Sequence, residues 1–367
     1  MSSITTQRKT TAIRGIFTVF SLFLVLSIVF SCGQPAVYPG TEWERIADPE
    51  SVGFSSAGLE AVGAHADTLP STGLVVVIGG KILFENGVID ETSYIASVRK
   101  SVLAMLYGNY VEDGTIDLNK TIADLNMDDI GGLSDQEKEA TIADLLGARS
   151  GVYHPASNSG DNLADAPERN SQKHGEYFLY SNWDFNALGF IFEQETGRNI
   201  YDALQTDLVD RIGMQDFDRS THRKSGNLNA SLYPAYHMNI SARDLARLGL
   251  LMLRGGKWNN EQIIPEEWSK RISGVVTPLE EMNPERMRSG MLGYGYLWWI
   301  FDGPEAVGPY EGAYTGIGAG GQYMTVFPKL DMVVTHKRAR RGQDRRSLSR
   351  GQYYSILDKI LDARIEK

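Results

Sequence analysis

The sequence predicts an α+β fold: an antiparallel sheet built from both chain ends, flanked by helices, with a mainly helical middle region. Two hairpin patterns and the region between them carry this expectation. Near the start, Leu74-Val75-Val76-Val77-Ile78 and Lys81-Ile82-Leu83-Phe84 are β-rich runs separated by Gly79-Gly80, the spacing of a tight hairpin. Near the end, Tyr323-Met324-Thr325-Val326-Phe327 and Met332-Val333-Val334-Thr335 flank Pro328 to Asp331 in the same way. Between the two, apolar residues recur at helical spacing, so the strands of the two ends are expected to share one sheet.

In chain order, Ala57 to Asp67 reads as a helix covering that sheet. Ser97 to Glu112 reads as a second, with Val98, Val102, Met105, Leu106 and Tyr110 at helical spacing and Gly114 placed to end it. The polar stretch Ser157 to His174 is expected to be a loop over a cleft. Trp183 to Thr196 is helical, with Leu188, Ile191 and Phe192 on one face and Gly197 as terminator. Ser241 and Asp244 have the spacing of a capping box for a helix reaching Arg254, and Pro265 opens another through Trp268. Trp298 and Trp299 are expected in the core, with a pocket wall as the alternative. Tyr353 to Arg364 forms the last helix, with Tyr353, Ile356, Leu357, Ile360 and Leu361 on one face.

The chain has 367 residues, a net charge of −10 and one cysteine. The acidic balance argues against a nucleic-acid partner. The basic cluster from Lys337 to Arg350 reads as a solvated loop, with a phosphate or headgroup contact as the minor alternative. Six histidines without H-E-x-x-H spacing predict no metal site, and the absence of G-x-S-x-G removes the nucleophile elbow. Gly316, Gly318 and Gly321 match G-x-G-x-x-G, but a strand follows where dinucleotide binding needs a helix, so no cofactor is expected.

At the N-terminus, Arg8, Lys9 and Arg14 precede an apolar run from Ile16 to Phe30, the pattern of an export signal. Val29-Phe30-Ser31-Cys32-Gly33 resembles a bacterial lipobox. Residues 1–31 are thus expected to be a lipoprotein-type signal, with lipidation at Cys32 and a tether over 32–42. A retained anchor or plain secretory signal is the competing reading. Every version places the rest of the chain outside the cytoplasm, the lipoprotein reading in the bacterial cell envelope, and a lone cysteine excludes an internal disulfide. Residues 43–367 would form one domain, with a sheet part of about 43–96 and 290–367 and a helical part of about 97–289.

Three strings carry chemistry. In Ser97-Val98-Arg99-Lys100, a serine and a lysine three apart share a helix face, so the amine lies near a hydroxyl that needs a base to become a nucleophile. Ser97 at the helix start also has its own N–H and the macrodipole directed at a developing oxyanion. Lys100 must be neutral to accept a proton, which an apolar surrounding favours. In Tyr180-Ser181-Asn182, a phenol near cationic donors would have a lowered pKa and could relay protons, while the amide could meet a substrate carbonyl and Lys100. The third string, Tyr314-Thr315-Gly316, opens a glycine-rich run to Gln322 whose backbone can approach a ligand closely.

In this order, S-x-x-K, Y-x-N and a [KH]-T-G-like strand, the chain resembles the serine β-lactamase and penicillin-binding protein superfamily, in particular the class C β-lactamase-like branch with its esterases, D-Ala-D-Ala peptidases and amide hydrolases. Thr141 to Gly151, Ser241 to Gly256 and Gly293 to Trp299 look like further segments of that family. The resemblance implies a β-lactamase/transpeptidase-like fold and an acyl-enzyme on Ser97, with Lys100 and Tyr180 handling protons. It also implies Asn182, Tyr314, Thr315 and Gly316 as substrate contacts, and an oxyanion hole from the N–H of Ser97 and of Ala319, with Ile317 and Gly318 as competitors for the second place. Tyr314 departs from the pattern, because a lysine or histidine there would hold a β-lactam carboxylate. Arg338, Arg340 and Arg341 are the candidate replacements. The expectation is therefore a serine esterase or amidase acting on a small ester or amide or a peptidoglycan-like substrate, with membrane contact through a lipid anchor. The alternatives are a lipoprotein that binds or senses cell-wall fragments without turnover, and a true β-lactamase or DD-peptidase.

Overall fold

The computed structural model describes residues 1–3, 36–340 and 342–365. The expected signal core and Cys32 lie outside them. Among the described residues, the main helices are α1 (Ser56–Asp67), α2 (Val98–Glu112), α3 (Asn182–Thr196), α4 (Ala242–Leu253) and α5 (Arg350–Asp362). The sheet strands are β1 (Gly73–Ile78), β2 (Lys81–Gly87), β3 (Leu292–Tyr294), β4 (Trp299–Phe301), β5 (Tyr314–Gly318), β6 (Gln322–Phe327) and β7 (Met332–Lys337). They form one antiparallel sheet in the order β2-β1-β7-β6-β5-β4-β3.

The two chain ends meet where β1 pairs with β7, in a register running from Gly73 opposite Lys337 to Ile78 opposite Met332. Leu74, Val75, Val76 and Val77 are all fully buried, so this strand reads as an unbroken apolar run because helices cover both of its faces. On one face, α4 packs against β1, β6 and β7, and Gly249 lets the helix approach Val333 and Met324. On the other face, α5 lays Tyr353 parallel to Tyr323 at 3.8 Å, and its phenol hydrogen-bonds Thr325 Oγ1 at 2.7 Å. Met324 and its neighbours Tyr323 and Thr325 thus serve opposite layers, as the two-residue period of a strand requires.

The helices expected from periodicity are present, with α5 beginning three residues earlier than its apolar face. Two expectations need correction. Ser241 caps α4, but Asp244 does not return the bond: its carboxylate accepts from the Gln215 and Asp216 amides at 2.7 and 2.9 Å instead. The basic stretch that begins at the end of β7 is not wholly solvated either. Lys337 and Arg338 are buried, and Lys337 Nζ donates to the Ser93 carbonyl at 2.8 Å, fixing the chain four residues before Ser97.

Candidate active site

The turn that presents Ser97 is held from two sides. Ile95 donates its N–H to the Met238 carbonyl at 3.1 Å, and Lys337 holds Ser93. Ala96 then adopts a left-handed backbone, with φ of +48°, which costs an L-residue about 1–2 kcal/mol and redirects the chain into α2. Ser97 is the N-cap residue of α2, yet its φ of −74° and ψ of −7° are already helical and its hydroxyl accepts no capping bond. The hydroxyl is therefore free to face a cleft.

Strand β5 runs directly against this turn. A methyl added at Gly316 would press on Val98 and Ser101, and one at Gly318 would strike the Ile95 carbonyl oxygen. Glycine is needed at 318 because backbone meets backbone there. This packing places Ala319, the first residue after β5, beside Ser97, and both line a cleft of about 310 Å³. Neither residue's N–H donates to a backbone carbonyl among the described residues.

Lys100 lies one turn into α2 and is 1% exposed. Its Nζ makes a 2.7 Å hydrogen bond with the Tyr180 phenol and donates to Asn182 Oδ1 at 2.8 Å, between the faces of Tyr180 and Phe185 at 4.1 and 4.2 Å. Burial, reinforced by the neighbouring charge of Arg99 and opposed by Asp161, holds its ammonium well below the usual lysine range. The structure thus gives the amine to Tyr180, and the phenol stands between it and Ser97.

The phenol differs from its expectation. Burial pushes Tyr180 up to about 12, although a hydrogen bond from Ser97 and the charges of Arg99 and Arg350 work in the other direction. Desolvation of a phenolate outweighs the nearby cations, so burial favours the uncharged form of both Tyr180 and Lys100. Stacking on Trp299 at 5.3 Å and contact with Phe185 at 4.8 Å account for that burial.

The other sequence-derived contacts are placed differently. Asn182 is behind Lys100: its amide donates to the Ser159 carbonyl at 2.9 Å and its N–H to Asp161 at 3.1 Å, leaving no donor for a substrate. Tyr314 is buried edge-on against Trp298. Thr315 shares its hydroxyl with Thr325 at 2.8 Å, and Gly316 faces α2. The cleft-facing part of the strand lies one repeat further on, at Ile317 and Ala319. A two-residue step preserves the face but moves the contact past the end of the core, which explains why a string-based reading stopped short.

The cleft also contains residues that the motifs did not single out. Gly160 and Asn162, from the loop expected over the cleft, form one rim; Arg286 and Met287 form the other. The rims are tied by a two-pronged Arg286–Asp165 ion pair at 2.6 and 2.8 Å and by Asn162 donating to Met287 Sδ at 3.5 Å. Trp299 forms a wall, while Trp298 is in the core. The cleft cations are Arg286 and Arg350; Arg338 and Arg340 lie outside the cleft, and Arg341 is outside the described residues. Arg350 has no carboxylate partner among the described residues and sits 5.5 Å over the Trp299 ring. A readable signal existed: Ser349 and Gln352 form a capping box, which puts Arg350 in the first turn of α5. No grouping of metal-ligand side chains occurs among the described residues.

The family model described as Beta-lactamase matches residues 59–346. The 6-aminohexanoate-dimer hydrolase of Paenarthrobacter ureafaciens is 24% identical over 268 residues, which cover 67% of this chain and 65% of that protein, so the match spans just under two thirds of that relative. Among solved structures, a class C β-lactamase superposes with a TM-score of 0.61 at 15% identity, covering 87% of this chain and 98% of that one. EstCE1, a hydrolase with promiscuous acyltransferase activity, gives 0.62 at 15%, covering 85% and 99%. A penicillin-binding protein homologue from Caulobacter crescentus gives 0.59 at 14%, covering 84% and 97%.

Proposed function

The chain belongs to the beta-lactamase family of hydrolases, and from that premise we propose that it is a serine hydrolase that forms an acyl-enzyme on Ser97 and cleaves an ester or amide of a small acyl substrate. The observation that carries this reading is the uncapped Ser97 hydroxyl beside a phenol that is itself bonded to a buried amine whose ammonium form burial disfavours.

As Ser97 Oγ attacks the carbonyl carbon, its proton passes to the Tyr180 oxygen while the phenol proton passes to Lys100 Nζ. The carbonyl oxygen becomes an oxyanion facing the N–H groups of Ser97 and Ala319, at the positive end of α2. When the carbon–oxygen or carbon–nitrogen bond breaks, the ammonium returns its proton through Tyr180 to the leaving group. Water then repeats the sequence on the acyl-enzyme and releases the acid.

Ile317 and Ala319 give the strand side of the cleft an apolar edge, which favours small acyl groups over a β-lactam needing a strand cation. The guanidinium of Arg350 on Trp299, without a carboxylate partner among the described residues, suits a carboxylate elsewhere on the substrate. The relative named for hydrolysing a 6-aminohexanoate dimer is compatible with an amide substrate.

A fluorophosphonate probe is expected to label the wild-type protein and not Ser97→Ala; absence of labelling in the wild type would favour a binding protein without turnover. Short p-nitrophenyl esters are expected to be cleaved faster than a chromogenic cephalosporin, and the opposite order would overturn the substrate assignment. Arg350→Gln should raise KM about tenfold for carboxylate-bearing esters and leave neutral ones unchanged. Anchoring through Cys32 and export to the cell envelope belong to the same proposal. Incorporation of labelled palmitate that disappears in Cys32→Ala tests it.

A further inference from the structure

Arg99 immediately precedes Lys100, is 2% exposed, and does not reach the cleft. Its Nη2 donates to Asn186 Oδ1 at 3.1 Å, and its guanidinium carbon lies 4.5 Å from the centre of the Tyr236 ring. Nε and Nη1 have no acceptor, and no carboxylate pairs with it among the described residues. Arg338, buried to a similar degree, has Asp344 at 2.8 Å. An unpaired buried guanidinium is a costly arrangement that packing alone does not require, since an apolar side chain of similar volume would fill the site at lower desolvation cost.

We propose that Arg99 is a positioning residue whose uncompensated charge keeps the adjacent Lys100 amine unprotonated and ready to receive the proton from Ser97. The inference rests on the reading of Lys100 as proton acceptor. The cation–π and amide contacts hold the guanidinium in place without neutralising it, where a carboxylate would cancel its field. The groups facing the pair are few. Asp161 opposes Arg99 from the cleft loop, Tyr180 faces both, and Tyr201, Tyr236 and His237 feel Arg99 from the far side. The tyrosines are raised by burial and His237 is lowered by burial. The direction of the Lys100 shift, with Arg99 as its second cause after burial, agrees with this.

Two substitutions remove the field by different routes. Arg99→Gln deletes the charge, and Asn186→Asp retains the arginine but supplies a carboxylate against it. In protein carrying 13C-labelled lysine, the Lys100 Cε resonance is expected to titrate about one pH unit higher in both variants than in wild type, and Arg99→Lys should stay close to wild type. The pH profile of Ser97 labelling by a fluorophosphonate should move with it, giving about tenfold slower labelling on the acid side. An unchanged Lys100 titration in either folded variant overturns the inference, and Asn186→Asp decides alone if Arg99→Gln does not fold. A shifted titration in a protein whose serine is never labelled leaves this inference standing and removes the proposed hydrolase.

Discussion

Helices α2 and α4 begin with strings that share two of four letters, the serine and the arginine of Ser97-Val98-Arg99-Lys100 and Ser241-Ala242-Arg243-Asp244, and use them in opposite ways. In α4 the serine is extended, with ψ of 168°, and its hydroxyl accepts the Asp244 N–H at 3.1 Å. Arg243 is paired with Asp216, and the Asp244 carboxylate is bonded to two amides. In α2 the serine has ψ of −7°, which turns its hydroxyl away from the helix amides, and the two cations that follow are buried without carboxylate partners among the described residues. One helix start is a closed structural joint. The other leaves its serine hydroxyl out of the helix cap and joins it, through Tyr180, to a buried amine, so the groups that a structural joint would consume stay available for reaction.

The largest separation between the two is expected from paired alanine substitutions. Ser97→Ala should reduce ester hydrolysis by about 10⁴-fold or more, with stability within about 0.5 kcal/mol of wild type because no cap is lost. Substantial residual turnover with an intact fold would remove Ser97 as nucleophile. Next in size, Lys100→Ala and Tyr180→Phe should each slow acylation by about a hundredfold or more, measured as the pre-steady-state burst. Near-normal bursts in either variant would take that residue out of the proton path.

The pH response sharpens the same contrast. A base whose pKa is depressed in the folded protein accepts protons only above that lowered value, so acylation should rise with pH through the Lys100 ionisation and then level off. Tyr180, raised to about 12, should cause a fall only in strongly alkaline solution. A profile that instead declines from pH 6 to 9 would contradict the assignment of a neutral amine. The smallest effect belongs to the closed joint: Ser241→Ala should lower unfolding free energy by about 1 kcal/mol in urea titrations while leaving ester hydrolysis unchanged.

Much of the scaffold was legible in the chain. The β1–β2 and β6–β7 hairpins, and their union into one sheet, followed from short β-rich runs and turn residues, because those signals are local and strong. The strings around Ser97, Lys100 and Tyr180 were also visible, and the fold brings the three side chains together. The contact surface of the third string was not. Tyr314 and Thr315 have polar groups that suit a cleft, yet Trp298 and the Thr325–Tyr353 pair cover them, and the apolar Ile317 is what faces outward. Asn182 is likewise held behind Lys100 by loop carbonyls more than twenty positions away.

The sequence by itself determined which segments become strands and helices, and which residue types are available to react, since period, capping and turn chemistry act over a few neighbours. Only the tertiary structure decided the direction in which Tyr180 titrates, the partner of Lys100, the cation that borders the cleft, and which of two similar serines is free. Those properties depend on desolvation and on side chains from distant segments, and neither has a signature in the order of adjacent residues.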